Sequence, residues 1–196
     1  LNAYRHGIFP WYSEGQPLLW WSPDPRLVLY PERIHISRSL GKTLRNKPFT
    51  CSFDRDFEGV IRACAAPRRD QEGTWITGAM DAAYCELHRL GHAHSVEVWQ
   101  EGQLAGGLYG IAIGRVFFGE SMFSRRRDAS KVALVHLARQ LAAWDYRLID
   151  CQVYTAHLAS LGAEEIERAL FCRELARWCN LPAPKADWTA SPHGNG

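Results

Sequence analysis

The sequence lacks several features that mark whole classes of protein. No run of roughly 18 or more apolar residues is present, and a helix needs about that many to cross a bilayer, so we expect no association with a membrane. No signal segment opens the chain, and no two of its six cysteines are spaced as C-x-x-C. We therefore expect reduced cysteines and a cytoplasmic protein. The chain opens with Leu1 instead of Met, which leads us to expect that a preceding section is absent.

Signatures of several chemistries are missing as well. There is no G-x-S-x-G elbow for a nucleophilic serine. His92 and His94 with Glu97 resemble a metal set, but on a strand Glu97 would face away from both histidines, and no further ligand follows at a suitable spacing. We expect no metal and no cofactor.

Aromatic residues are plentiful, and many lie near the start of the chain. Eight tryptophans are present, and residues 1–25 combine aromatic side chains with four prolines. Proline-rich sequence disfavours regular structure, so this segment must pack against something larger. We predict that residues 1–25 are the C-terminal part of a small N-terminal domain and that residues 26–196 form the main domain.

Two polar residues interrupt an apolar stretch at residues 148–154, which we interpret as a buried strand. Because strand side chains alternate between faces, Asp150 and Gln152 share one face with Leu148, while Ile149 and Cys151 share the other. Burying unpaired polar groups costs roughly 1–3 kcal/mol each. Two interpretations remain: a local hydrogen-bond network satisfies the pair, or the pair lines a cleft and takes part in chemistry.

Two further polar features accompany this strand. Glu120 interrupts an apolar strand at residues 116–123, and if the two strands are neighbours, Glu120, Asp150 and Gln152 converge. Residues 33–47 contain five basic and no acidic residues; Ser37 could cap a helix there that turns Arg38, Lys42 and Arg45 outward. That face is either simply solvated or binds phosphate.

The order of elements predicts an α+β fold with a mixed sheet of about six strands and flanking helices. A helix, a three-stranded meander, a basic loop, a long helix and a strand follow one another along the chain, and the last strand should run parallel to its neighbour. This order resembles the acetyltransferase-like (GNAT-type) core. The loop before the long helix has no glycine, however, which argues against coenzyme A as the acyl donor. An acyl-CoA-dependent N-acyltransferase and a non-catalytic RNA-binding module that stacks bases on tryptophan remain as alternatives.

Eight motifs resemble those of the leucyl/phenylalanyl-tRNA–protein transferase family. They are GIFPW (7–11), WWSPDPR (20–26), HISRS (35–39), GTWIT (73–77), GHAHSVE (91–97), GESMFS (119–124), ASK (129–131) and IDCQV (149–153). The resemblance implies an enzyme of the bacterial N-degron pathway that transfers Leu or Phe, with Met as an additional candidate, from aminoacyl-tRNA to the N-terminal Arg or Lys of a protein. It also implies a GNAT-like domain after a small N-terminal domain, and a monomer.

The same resemblance implies roles for individual residues. Asp150, Gln152 and Glu120 would be catalytic, Trp11 and Trp75 would meet the 3′ adenosine of the tRNA, and Arg38, Lys42 and Arg45 would contact its backbone. The donor side chain would enter a pocket formed by Leu108, Phe117, Met122, Leu134, Leu137 and Ile149. The chain departs from the family pattern at Thr155, where some members have Asn, and at Leu108 and Leu137, where Met and Phe are found; the preference among donors is expected to shift accordingly.

Overall fold

The computed structural model describes residues 1–13, 15–46, 49–66 and 76–189. Short elements come first: helix α1 (Asn2–Arg5) and the two-residue strands β1 (Phe9–Pro10) and β2 (Trp20–Trp21), which pair antiparallel. This short ladder forms although the proline-rich sequence was expected to disfavour regular structure. Pro10 cannot donate a hydrogen bond, but Trp11, the next residue, donates its backbone N–H to the carbonyl of Leu19 at 3.0 Å.

A seven-stranded mixed sheet is the centre of the fold. Its strands along the chain are β3 (Arg26–Leu29), β4 (Phe49–Phe53), β5 (Ala93–Gln100), β6 (Gln103–Ile113), β7 (Val116–Ser124), β8 (Leu148–Gln152) and β9 (Glu164–Ile166). Their order across the sheet is β4-β5-β6-β7-β8-β3-β9, with β7 and β8 parallel and the other neighbouring pairs antiparallel. The sheet has one strand more than the six expected, because β9 adds a short, polar edge beside β3.

Helices cover both faces of the sheet. They are α2 (Arg38–Asn46), α3 (Phe57–Ala65), α4 (Gly78–Arg89), α5 (Ala129–Ala143), α6 (Ala156–Ala159) and α7 (Arg168–Trp178), and a 3₁₀ turn (Pro31–Arg33) follows β3. One core contains residues of α2 and α5, and the other contains residues of α1, α3, α4 and α7. The α+β class with a mixed sheet and flanking helices is confirmed.

Local sequence signals account for several helix ends. The Ser37 hydroxyl accepts a hydrogen bond from the Leu40 backbone N–H at 3.3 Å, and Thr77 accepts one from Met80 at 3.3 Å. Gly91 follows α4 with a φ of 76°, a left-handed conformation that glycine adopts without steric cost. The cap predicted at Ser37 is confirmed. Among the described residues, no helix is both long and apolar enough to cross a bilayer.

The strand pair that carries the polar residues is parallel, as predicted. Phe117 lies opposite Ile149, and Phe118 lies opposite Asp150. Glu120 on β7 and Gln152 on β8 each lie two residues beyond the Phe118–Asp150 pair. The β6–β7 ladder shifts register around Glu120, and the β3–β8 ladder shifts between Asp150 and Gln152. Such β-bulges locally open a sheet and redirect side chains.

Candidate active site

A buried ion pair joins Asp150 of β8 to Arg26 of β3. The Arg26 Nε atom donates to Oδ1 of Asp150 at 2.8 Å, and Nη2 donates to Oδ2 at 2.7 Å. The two side chains are 1% and 0% exposed. This two-pronged geometry is among the strongest hydrogen-bonded arrangements available to a carboxylate. It answers the question of how a charged residue is tolerated inside the strand.

The Arg26 guanidinium also contacts the N-terminal segment. Its Nη1 atom donates to the Gly7 carbonyl at 3.1 Å. Its central carbon lies 4.7 Å from the ring centroid of Phe9 and 4.6 Å from that of Phe171. The cation is therefore enclosed by two aromatic faces, which stabilise it where water is excluded.

Gln152 ends β8 in an unusual conformation. Its φ is 64°, in the left-handed region that non-glycine residues seldom occupy. Its backbone N–H donates to Oδ1 of Asp150 at 2.9 Å, and its side-chain Nε2 lies 3.5 Å from Oε1 of Glu120. Asp150 thus holds both Arg26 and the backbone of Gln152, and the three predicted polar residues converge.

Glu120 is 8% exposed and lies above a group of tyrosines. The Tyr84 hydroxyl donates to Oε2 of Glu120 at 2.7 Å, and the Tyr4 hydroxyl lies 2.8 Å from that of Tyr84. Burial raises the pKa of Glu120 to about 7, although the hydrogen bond from Tyr84 acts in the opposite direction. The carboxyl group can therefore gain or lose a proton near neutral pH.

A cavity of about 770 Å³ lies between these polar groups and an apolar wall. That volume is in the range of roughly 300–1,000 Å³ typical of small-molecule sites. The polar side of its lining contains Glu120, Asp150 and Gln152. The cavity also brings together all six residues expected for the donor side chain: Leu108, Phe117, Met122, Leu134, Leu137 and Ile149.

Trp11 lines the rim of the same cavity. Its side chain is 44% exposed, its ring centroid lies 6.0 Å from that of Trp21, and its carbonyl accepts a hydrogen bond from the Trp21 indole at 2.7 Å. A partly exposed, supported indole face suits base stacking. Trp75, the other tryptophan assigned to the adenosine, lies outside the described residues.

The basic face of α2 is exposed and does not line the cavity. Arg38, Lys42 and Arg45 all point to solvent. The helix is held beside the start of α5, where the Thr43 hydroxyl donates to Oδ2 of Asp128 at 3.2 Å. Ser130 and Leu134 of α5 line the cavity. The N-terminal end of α5 therefore contacts both the helix that carries the basic face and the cavity.

Several residues that support or line the site were not predicted from the sequence as parts of it. Arg26 opens an apolar strand, and its charge was a signal that it needs a buried acid as partner. Tyr84 lies on the apolar stripe of α4, where its hydroxyl gave no sign of its partner. A third group lines the cavity near the starts of α5 and α6: Ser124, Arg125, Ser130 and His157. Thr155, which the sequence marked as a departure from the family pattern, lines the cavity beside them. Thr155 caps α6 by accepting a hydrogen bond from the Leu158 backbone N–H at 3.2 Å.

The residues weighed as a metal set are held by the protein itself. His94 Nδ1 lies 2.7 Å from Oδ2 of Asp54, and Glu97 accepts hydrogen bonds from the hydroxyls of Ser52 and Ser95. Within the described part of the chain, no three His, Cys, Asp or Glu residues are grouped so that they could hold a metal ion.

Sequence profiles of one family match most of the chain. The profile described as leucyl/phenylalanyl-tRNA protein transferase matches residues 28–176, and the profile of that family's N-terminal domain matches residues 1–24.

Curated proteins named leucyl/phenylalanyl-tRNA–protein transferase are similar over nearly the whole chain. The protein from Chromohalobacter salexigens is 64% identical over 194 residues, which are 99% of this chain and 76% of that protein. The protein from Nitrosomonas europaea is 60% identical over 188 residues, or 96% and 80% of the two chains. The protein from Pseudomonas syringae pv. syringae is 59% identical over 190 residues, or 97% and 82%.

Comparison with solved structures gives matches at low sequence identity. A functionally unknown conserved protein from Staphylococcus epidermidis aligns with a TM-score of 0.50 at 9% identity, covering 85% of this chain and 62% of that one. A GCN5-related N-acetyltransferase from Kribbella flavida aligns with a TM-score of 0.44 at 13% identity, covering 83% and 58%. This chain spans less than two thirds of either solved chain, and the first likeness concerns the fold alone.

Proposed function

The chain belongs to the leucyl/phenylalanyl-tRNA–protein transferase family. From this premise we propose that it transfers a leucyl or phenylalanyl group from aminoacyl-tRNA to the N-terminal amine of an acceptor protein. One observation carries the proposal: a single cavity has an apolar wall on one side and the Gln152–Glu120 edge on the other. The reaction needs an apolar site for the donor side chain and a polar site for an amine, and the ester carbonyl must lie between them.

The donor is held at two places in this proposal. Its side chain enters the apolar wall, while its adenosine stacks on Trp11 and on Trp75. An apolar pocket distinguishes single methylene groups by only about 1–3 kcal/mol, so acceptance of Leu, Phe and Met is physically reasonable.

The chemistry requires no covalent intermediate on the enzyme. The neutral acceptor nitrogen attacks the ester carbonyl carbon, the bond to the ribose oxygen breaks, and one proton leaves the nitrogen while the tRNA regains a free hydroxyl. An N-terminal amine has a pKa of roughly 8. Glu120, with a pKa raised to about 7, is well matched to accept that proton.

The remaining polar residues act by positioning. The Gln152 amide can orient the incoming amine, while the two oxygens of Asp150 are already engaged by Arg26 and the Gln152 backbone. We therefore place Asp150 behind Gln152, where it holds that residue in its left-handed conformation. The acidic edge suits an acceptor that begins with Arg or Lys.

The wider setting is part of the same proposal. Arg38, Lys42 and Arg45 would contact the tRNA backbone. Residues 1–25 would form the C-terminal part of a small N-terminal domain, and residues 26–196 would form the transferase domain. In this proposal the protein acts as a monomer. The reaction would take place in the cytoplasm, and its product would be marked for degradation.

A transfer assay tests the proposal. The protein is incubated with tRNA charged with radiolabelled Phe or Leu and with a peptide that begins with Arg. Mass spectrometry should show one added residue at the peptide's N-terminus. Two controls should give no product: the same peptide with an acetylated N-terminus, and free labelled amino acid with uncharged tRNA. No transfer to the free Arg-initiated peptide from either donor would overturn the proposal.

A further inference from the structure

We propose that Arg26 is a positioning residue that holds the donor platform at Trp11 in register with the acceptor-side amide of Gln152. The inference rests on the proposed function, because it assigns a role within that reaction. It concerns a side chain that itself contacts neither substrate.

The contacts of Arg26 reach both sides of the cavity. On one side, Nη1 donates to the carbonyl of Gly7, and the ring of Phe9 packs on the guanidinium. Trp11 lies two residues further on. On the other side, Nε and Nη2 grip Asp150, whose Oδ1 atom also accepts the backbone N–H of Gln152. One planar group is thus the shared partner of two segments that lie far apart in sequence.

The conformation of Gln152 makes this connection consequential. A φ of 64° in a residue that is not glycine is maintained only when its surroundings favour it. The hydrogen bond from its backbone to Asp150 is such a restraint, and Arg26 fixes the orientation of the Asp150 carboxylate. If the guanidinium shifts, the carboxylate turns and the Gln152 amide leaves its place beside Glu120.

The planar guanidinium cannot be replaced by a point charge. A lysine at position 26 would keep the positive charge, but a single ammonium cannot supply the parallel pair of bonds and also reach Gly7 from the opposite edge. Misplacement of a reacting group by about 1 Å can cost roughly 100-fold in rate. Arg26→Lys should therefore leave each substrate able to bind but poorly aligned.

The test compares Arg26→Lys with Arg115→Lys. Arg115 pairs with Asp145 and does not line the cavity, so the control makes the same substitution at another Arg–Asp pair. Active protein is first counted by the stoichiometric binding of a non-hydrolysable phenylalanyl-adenosine mimic. Per active molecule, Arg26→Lys should lower kcat at least about tenfold while KM for Phe-tRNA stays within about threefold. Arg115→Lys should keep wild-type values. A kcat for Arg26→Lys within about threefold of wild type would overturn the inference.

A second measurement uses the unaltered protein and decides the matter if Arg26→Lys does not fold. Nitrogen-15 NMR follows the exchange of the Arg26 Nε proton with water, with and without saturating mimic. If Arg26 couples the Trp11 platform to Gln152, exchange of the Arg26 Nε proton should be at least tenfold slower when the mimic occupies the platform. An unchanged rate would contradict the inference. Failure of the proposed function is separate, since it would show as absence of transfer by the wild-type protein.

Discussion

The Tyr84 hydroxyl on α4 donates a 2.7 Å hydrogen bond to the Glu120 carboxylate on β7. When Glu120 is ionised, Tyr84 donates its single hydroxyl proton to the carboxylate, so Tyr4 is then the donor in the next link, 2.8 Å away. Glu120 is therefore backed by a short tyrosine chain that runs into the core containing α1 and α4, and its protonation is linked to the stability of that core.

Replacing Glu120 with Gln should change how stability depends on pH. Because burial raises the pKa of Glu120 from 4.5 to about 7, its favourable contribution is fully present below about pH 4.5 and is lost as the pH rises through about 7. The unfolding free energy of wild type should fall relative to that of Glu120→Gln by on the order of 1 kcal/mol per pH unit across this window. Urea unfolding at several pH values measures the difference.

A second substitution identifies the source of that slope. The hydrogen bond from Tyr84 lowers the pKa of Glu120, so Tyr84→Phe should move the window to higher pH. Parallel stability curves for wild type and Glu120→Gln between pH 5 and pH 8 would contradict the assignment.

Asp150→Asn should destabilise the protein strongly. The substitution leaves the Arg26 guanidinium buried without a counter-charge, which typically costs about 3–5 kcal/mol. The double variant Arg26→Met/Asp150→Asn removes both charges and should regain part of that loss. Chemical denaturation of the two variants provides the comparison. An unfolding free energy of Asp150→Asn within about 1 kcal/mol of the wild-type value would show that the Arg26–Asp150 pair is not isolated from water.

Leu108→Phe should shift the choice of donor. Leu108 is 3% exposed and lines the apolar wall, so a larger side chain there shortens the space for the donor. We expect kcat/KM for Phe-tRNA to fall about tenfold more than kcat/KM for Leu-tRNA, a difference of about 1.4 kcal/mol. Leu104→Phe, on the same strand but packed in the other core, serves as the control and should change both donors equally.

Arg45→Ala should weaken tRNA binding in a salt-dependent way. Loss of one phosphate contact lowers the slope of log K against log salt concentration by about 1. Arg173→Ala removes another exposed arginine, from α7, whose buried residues belong to the other core from those of α2. Filter binding at several salt concentrations should therefore show a change for Arg45→Ala alone. Equal slopes for both variants would argue that α2 is only a solvated face.

Features set by neighbouring residues were predictable from the sequence. Alternation along a strand placed Asp150 and Gln152 on one face, and the caps at Ser37 and Thr77 depend on residues three positions away. The parallel pairing of β7 with β8 followed from the helix between them. The apolar pocket, by contrast, was expected from family resemblance, since burial alone does not distinguish a cavity wall from core.

Features that depend on distant segments could not be predicted. Arg26 and Asp150 are separated by 124 positions, and the sequence contains many other arginines that could neutralise an acid. The bulges at Glu120 and beside Gln152 depend on the register of the partner strands. Strand β9 was missed because three mostly exposed residues carry little hydrophobic pattern.

The position of β3 in the sheet has a consequence for biosynthesis. This strand is the first of the seven to leave the ribosome, yet its two neighbours, β8 and β9, are among the last elements to be made. The nascent chain must therefore carry Arg26 as an unpaired cation until Asp150 emerges. Any chain interrupted before that point lacks the Arg26–Asp150 pair and the Gln152 edge, so aborted translation products should be unable to modify other proteins.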